Sequence, residues 1–508
     1  MIDFTKIVRP LFMRRIDEFR RFRYRCESVQ RGQLRRLLTR AAKTEAERRF
    51  NIHPGLSYEE FQCRMPLSSY ENLRPYIMRM IDGERNVLCR GTVKNYAQSS
   101  GTSDGKSKYI PISRDSLSRC HYKGSFDVVA QYLNMNPDSR LFSGKGLILG
   151  GSFANELQLP DGVHVGDLSA NLISNINPLA NFFRVPNKKI ALMPDWSEKL
   201  PAIVEASIKE NITSISGVPS WMLTVLREVL KRTGASSIHD VWPNLEVFMH
   251  GGISFDPYRA QYDAICDPSK MHYINTYNAS EGFFAVQSSP DSDDMLLLLD
   301  VGVFYEFIPI DSVGTENARA IPVWQVEPGR TYSLIITANN GLWRYAIGDT
   351  VTVTQIQPVK IRIAGRTKSY INAFGEELMV HNAEAAVARA CSDTGAEVAN
   401  FTAAPVYADS SSHGHHQWLI EFSRRPGDIE RFADSLDSHL QEVNSDYEAK
   451  RSKGIFLDRL TIVEARQGLF VDWLASTGKL GGQRKVPRLS NDRVLIDQLL
   501  KMNENSNK

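Results

Sequence analysis

The feature that most restricts the fold is a recurring unit in which a short apolar run stands just before glycine. Leu147-Ile148-Leu149 precedes Gly150-Gly151, Ser214-Ile215-Ser216 precedes Gly217, and Leu245-Glu246-Val247-Phe248-Met249 stands before Gly251-Gly252. Helical patterns over residues 203–209 and 220–231 lie between them. Strands separated by helices need crossover connections, and crossovers build sheets that are at least partly parallel. The expectation is an α/β core.

A chain of 508 residues is too long for one compact core, so two or three domains are expected. Residues 1–90 read as mostly helical, with Pro66 and Pro75 as breakers. Residues 295–365 turn strand-rich, with alternation over 332–336 and 350–354, which predicts a smaller β subdomain. Beyond Gly365, helical patterns at 383–390, 426–443 and 491–502 mix with strand patterns at 417–422 and 460–463. That mixture predicts a separate α+β domain.

Charge excludes some partners. The net charge of +3 is nearly balanced, so no strong field points to nucleic acid or a membrane surface. Arginines 14, 15, 20, 21, 23, 25, 35 and 36 do cluster, but Phe12, Ile16, Phe19 and Leu34 interleave at helical spacing. The pattern predicts an amphipathic helix with solvated arginines, and Asp17, Glu18 and Glu27 argue against a mitochondrial address. The best apolar run, residues 295–310, is broken by Asp300 and Glu306 and reads as two buried strands, not a membrane span. Six scattered cysteines with no Cys-x-x-Cys pair suit a reduced, cytoplasmic compartment.

The chemistry begins at Ser99-Ser100-Gly101-Thr102-Ser103-Asp104-Gly105-Lys106-Ser107-Lys108. Small residues let a backbone turn its N–H groups onto anionic oxygens, hydroxyls add donors, and Lys106 or Lys108 adds charge. The loop is not a Walker motif, because three residues separate Gly101 from Gly105-Lys106-Ser107 where that motif needs four. Alone it reads equally well as a solvated linker. Four further segments follow. Asn275-Thr276-Tyr277-Asn278-Ala279-Ser280-Glu281-Gly282 offers an aromatic ring for a purine and a carboxylate for a divalent metal. Trp343-Arg344-Tyr345-Ala346-Ile347-Gly348-Asp349 offers a carboxylate for two ribose hydroxyls, Gly365-Arg366 a fixed cation, and Gly481-Gly482-Gln483-Arg484-Lys485 a lysine on a glycine loop. A buried tyrosine, a capping aspartate and a surface lysine are the ordinary explanations of each; their order and spacing together are specific.

Together with Tyr70-Glu71-Asn72-Leu73-Arg74-Pro75-Tyr76-Ile77 and Gly83-Glu84-Arg85-Asn86-Val87-Leu88, these segments make the chain resemble the GH3 family of acyl-acid amido synthetases over about residues 50–490. Gly365-Arg366 and Phe374-Gly375-Glu376-Glu377-Leu378 look more like general adenylating enzymes, and Gly251-Gly252-Ile253-Ser254 differs from the usual plant segment, which points to a bacterial-type member. The resemblance implies an adenylate-forming (firefly-luciferase-like) α/β architecture. A large N-terminal domain with its β subdomain would span 1–365, a hinge 366–377, and a small mobile α+β domain 378–508. It implies ATP and Mg2+ as cofactors. Ser99, Ser100, Gly101, Thr102, Ser103 and Lys108 would hold the β- and γ-phosphates, and Gly251, Gly252, Thr276, Tyr277 and Asn278 would enclose the adenine. Asp349 would bind the ribose, Arg366 would contribute charge, Glu281 would be the magnesium-associated acid, and Lys485 would be the catalytic lysine.

The implied reaction joins a small carboxylic acid, through its adenylate, to an amine such as an amino acid. Thioester formation with coenzyme A is the alternative, and a non-catalytic nucleotide-binding relic is a second. For the acyl pocket the candidates are Lys123, Trp221 and Met222, on helices near 121–132 and 220–230. The tract His413, His415 and His416 reads as an exposed loop ahead of a metal site, and Asp291, Asp293 and Asp294 as a solvated turn.

Overall fold

The computed structural model describes residues 3–99, 108–153, 155, 157–252, 255–315, 318–366, 370–371, 376, 378–406, 414–444, 447–448, 451, 457–477, 486–490 and 492–505. Among these a 12-stranded sheet dominates. Its parallel half contains Lys145–Ile148, Arg184–Val185, Ile212–Gly217, Val247–Gly251 and His272–Ala279. The three apolar runs before glycine are thus strands of one parallel sheet. Leu147, Ile215 and Phe248 of these strands are buried under Met222, Leu226 and Val229 of helix Pro219–Thr233. Each such side chain contributes about 1.5–3 kcal/mol by leaving water.

At His272–Ala279 the sheet changes direction. That strand runs parallel to Val247–Gly251 on one side and antiparallel to Gly282–Ser289 on the other. The strand-rich segment continues the same sheet as an antiparallel array, with Ser292–Leu297, Val303–Pro309, Thr331–Ala338, Tyr345–Ile356 and Val359–Arg366. Met295 pairs with Ile361, which joins this array to the rest. The run 295–310 supplies two of its strands, as its pattern predicts.

The arginine-rich segment forms helix Thr5–Phe22, with Phe12, Ile16 and Phe19 in the core and Arg14, Arg20 and Arg21 exposed. Arg15 departs from the expectation of solvated arginines. It is buried between Asp127 and Asp300, at 2.7 and 2.6 Å, because a charge taken from water must be paired. Pro75 also departs from expectation: it lies inside helix Tyr70–Ile81 and does not end it. Burial of Tyr70, Leu73, Ile77, Met80 and Ile81 outweighs the lost hydrogen bond.

The C-terminal residues form a second unit with its own core. Strand Glu397–Val406 pairs antiparallel with His415–Arg424, which pairs parallel with Thr461–Ala465. Helices Val380–Thr394 and Ile429–Val443 pack on them through Ala386, Val387, Phe432 and Leu436. Ile371 and Leu378 already belong to this core, whereas Arg366 still ends a strand of the large sheet. The two units meet beside that crossing, where the His381 ring is hydrogen-bonded to the Ala364 carbonyl. His415 and His416 are strand residues, not loop residues, and buried His416 meets buried Glu376 at 2.8 Å. His413 lies outside the described residues. No helix among the described residues is long and apolar enough to cross a membrane.

Candidate active site

Open sheets bind ligands beyond the carboxyl ends of their parallel strands. Here those ends are Gly217, Gly251 and the second half of His272–Ala279. Gly251 pairs with Thr276, and a Cβ on it would lie 2.5 Å from the Thr276 carbonyl oxygen, so no other residue fits there without a shift. Gly252 follows at φ +85°, a conformation that favours glycine. The Thr276 hydroxyl donates to the His250 carbonyl at 2.9 Å and fixes the two strand ends to each other.

Next along the strand, the Tyr277 hydroxyl donates to Asp349 Oδ2 at 2.6 Å. Tyr277 is 5% exposed and Asp349 7%. The Tyr277 ring packs edge-on against Phe284, with centroids 5.0 Å apart. Little of its face is open to a purine, and what it visibly does is orient Asp349. Asp349 itself follows Gly348 at φ +89° and lies opposite Arg366 across paired strands. The Arg366 side chain lies outside the described residues.

Glu281 is buried at the turn after this strand, and its backbone carbonyl accepts from Asn340 Nδ2 at 3.1 Å. Tyr345 links the acids. Burial first, then the charge of Glu281, the Tyr70 phenol, and the charges of Glu71 and Asp349, push its phenol well above the ordinary tyrosine range. It therefore stays a neutral hydroxyl. Lys108 Nζ lies 3.5 Å from that hydroxyl and 5.8 Å from the centre of the Tyr70 ring. Lys108 and Ser99 face each other as the last pair of an antiparallel ladder formed by Asn95–Ser99 and Lys108–Ile112, so the base of the serine-glycine loop stands at the site. Ser100, Gly101, Thr102, Ser103 and the Ser99 side chain lie outside the described residues, as does Lys485.

The structure thus brings Lys108, Tyr277, Glu281 and Asp349 together, with Gly251, Thr276 and Asn278 on the adjoining strand ends. Tyr345 and Tyr70 join them without having been singled out from the sequence; their mark there is only an aromatic residue within each motif. Arg344, in the same motif as Asp349, plays a different part. It is buried on Glu306 at 2.9 Å and donates to the Met65 carbonyl at 2.8 Å, a packing role.

The acyl-pocket candidates are not brought together. Lys123 Nζ is bound to the Asp300 carboxylate and, at 3.0 Å, to its carbonyl, so the buried acid pair around Arg15 takes its charge. Met222 is 0% exposed inside the parallel-sheet core and has no surface with which to line a pocket. Trp221 packs edge-on against Trp196 at 4.7 Å, between helices Trp196–Ile208 and Pro219–Thr233.

This sheet, with a small α+β unit following it, is the architecture of adenylate-forming enzymes. It superposes on AtGH3.15 acyl acid amido synthetase in complex with 2,4-DB with a TM-score of 0.77 at 18% identity, over 96% of this chain and 95% of that one. On 2-hydroxyisobutyryl-CoA ligase in its postadenylation state the TM-score is 0.59 at 14% identity, over 93% and 91% of the two chains. The chain belongs to the GH3 family: residues 15–179 and 163–271 match the GH3 family N-terminal domain, 296–366 its central domain and 381–494 its C-terminal domain. Similar proteins include the probable indole-3-acetic acid-amido synthetase GH3.1 of Arabidopsis thaliana, 24% identical over 96% of this chain and 92% of that protein. The 4-substituted benzoates-glutamate ligase GH3.12 of Arabidopsis thaliana is 23% identical over 91% and 92%.

Proposed function

We propose that this chain is an ATP-dependent acyl-acid amido synthetase, adenylating a small carboxylic acid and passing the acyl group to an amine, foremost an amino acid. The observation that carries this reading is the Tyr277–Asp349 pair set beside Glu281, Tyr345 and Lys108 at the carboxyl ends of the parallel strands. Membership of the GH3 family and relatives named as amido synthetases support it.

In the first step a carboxylate oxygen attacks the α-phosphorus of ATP, the bond to the β-phosphate breaks, and pyrophosphate leaves. Both reactants are anionic, so the site must offset charge. Residues 99–108 would wrap the β- and γ-phosphates, with Lys108 as a cation. Gly251, Gly252, Thr276 and Asn278 would bound the adenine, Tyr277 would hold Asp349 in place to accept from the ribose hydroxyls, and Arg366 would stand near them. Glu281 would hold Mg2+, which supplies further positive charge to the phosphate oxygens when bound. No group of three His, Cys, Asp or Glu among the described residues forms a metal cage, and a single buried carboxylate fits an ion that takes its other ligands from phosphate and water. Lys485 would approach from the C-terminal unit, which would rotate about a hinge within residues 366–377. In the second step the amine nitrogen attacks the adenylate carbonyl, AMP leaves with the bonding electron pair, and the nitrogen loses a proton.

Acid-dependent exchange of pyrophosphate into ATP, screened over a panel of carboxylic acids, tests the first step. Lys485→Ala should lose most of the exchange rate while still binding ATP; exchange at the wild-type rate overturns that role. A product screen with amino acids and coenzyme A together tests the second step, and a thioester product would replace the amide reading.

A further inference from the structure

The helical stretch before the central core is not uniform. Arg114–Ser116 is α-helical, Leu117–His121 is a π-turn, and Tyr122–Met135 is α-helical again. A π-turn is rare and is retained most often at functional positions. This one is pressed against the hairpin that carries Glu281. The Phe283 N–H donates to Cys120 Sγ at 3.2 Å, and a Cβ on Gly282 would lie 3.2 Å from the same sulfur.

His121 ends the π-turn. It is 0% exposed, and among the described residues neither ring nitrogen meets a partner in hydrogen-bond geometry. Its polar neighbour is Asn278, near enough to raise the pKa of the ring, and the Asn278 Oδ1 is likewise buried without a partner in hydrogen-bond geometry among the described residues. Asn278 sits where the pairing of His272–Ala279 with Gly282–Ser289 slips by a residue, between Tyr277 and Asn278. Bulges of this kind re-aim side chains beside active sites. A π-turn, a bulge and two orphaned polar groups therefore meet one residue from Tyr277 and three from Glu281.

Stability does not account for this arrangement. A buried polar group without a partner costs about 1–3 kcal/mol, and an apolar ring of the same shape would avoid that cost. Such local violations mark positions kept for function. Burial lowers the His121 pKa to about 4, against a smaller raising effect of Asn278, so the ring is neutral and carries one N–H and one lone pair.

We propose that His121 is a positioning residue for adenylation: as substrates fill the crevice, its N–H closes on Asn278 Oδ1 and turns the Asn278 amide N–H toward the oxyanions that meet there. This rests on the adenylation reading above. Asn278 is only half-buried, so its amide has a route to the crevice that the ring behind it lacks.

The test compares full-length wild type, His121→Phe and His121→Gln by acid-dependent pyrophosphate exchange, with kcat and KM separated, and by thermal unfolding. His121→Phe should keep or raise Tm, keep the KM for ATP, and lower kcat about tenfold or more, the worth of one hydrogen bond to a charged system. His121→Gln, which restores an N–H donor, should recover most of the rate. Exchange by His121→Phe at the wild-type rate overturns the proposal. So does a fall in Tm with His121→Gln equally impaired, which marks a structural role. Should His121→Phe not fold, 15N-histidine NMR of the wild type decides. The His121 N–H resonance should move downfield when ATP and an accepted acid are added together, and an unmoved resonance overturns the proposal. Wild type inactive with every acid would instead remove the adenylation reading itself.

Discussion

The hydroxyl of Tyr277 and the carboxylate of Asp349 are joined at 2.6 Å although their strands are not neighbours in the sheet. The bond ties together strands that are separated in the sheet and fixes the orientation of the carboxylate. Tyr277→Phe keeps the ring against Phe284 and removes the hydroxyl bond to Asp349. We expect Tm to fall, in line with about 1.5–3 kcal/mol for a buried hydrogen bond to a charged group, and ATP affinity to fall with it by about tenfold. Calorimetric titration of ATP into the two proteins checks it.

Arg344 stands at φ +40° with its guanidinium buried on Glu306. Removing one partner leaves the other as an uncompensated buried charge, at a cost of about 3–5 kcal/mol. Arg344→Met should therefore lower the urea midpoint sharply. Replacing both residues with apolar ones of similar volume should recover a large part of that loss, and unfolding curves of the single and double variants measure it.

His439 gives the C-terminal unit a pH dependence. Burial lowers its pKa, but hydrogen bonds to Glu442 and Asp393, at 3.0 and 2.7 Å, outweigh that and hold it above the ordinary value of 6.5. A raised folded-state pKa means that the folded state binds the proton more tightly than the unfolded chain. The stabilisation is complete below pH 6.5 and is lost as pH rises through the folded-state value. Thermal unfolding of wild type and His439→Gln should differ more in mildly acidic than in mildly alkaline buffer. Equal differences in the two buffers would refute it.

Gly251→Ala places a methyl group against the Thr276 carbonyl and should cost about 1–3 kcal/mol as well as nucleotide affinity. Gly32→Ala is the control. Among the described residues nothing lies within 4 Å of its added carbon, and it sits in helix Cys26–Arg40, where alanine is favoured by about 0.5–1 kcal/mol. Opposite shifts in Tm for the two substitutions are the expected result.

Sequence made three of the parallel strands legible because a glycine ends or closely follows each apolar run, and at Gly251 the approach of Thr276 explains the choice. Asp349 and Glu281 stood out through the order and spacing of their segments, and the fold places both beside Tyr345. Three-dimensional packing decided the rest. Lys123 looks free on a helix until Asp300 arrives from a distant loop. Met222 and Trp221 share a helix with the predicted pocket, but its period does not reveal which face meets the core. Pro75 shows tertiary burial overriding a local breaker. Tyr345 was hidden because its role arises from neighbours brought by several different segments.

The core that holds Ile371 and the strand that ends at Arg366 are joined by one covalent crossing through residues 367–369. Under the adenylation reading, a group carried beyond that crossing would meet the crevice as part of the same molecule, in an intramolecular encounter. Diluting the protein leaves that encounter unchanged, whereas separating the two units would turn it into a search through bulk solution.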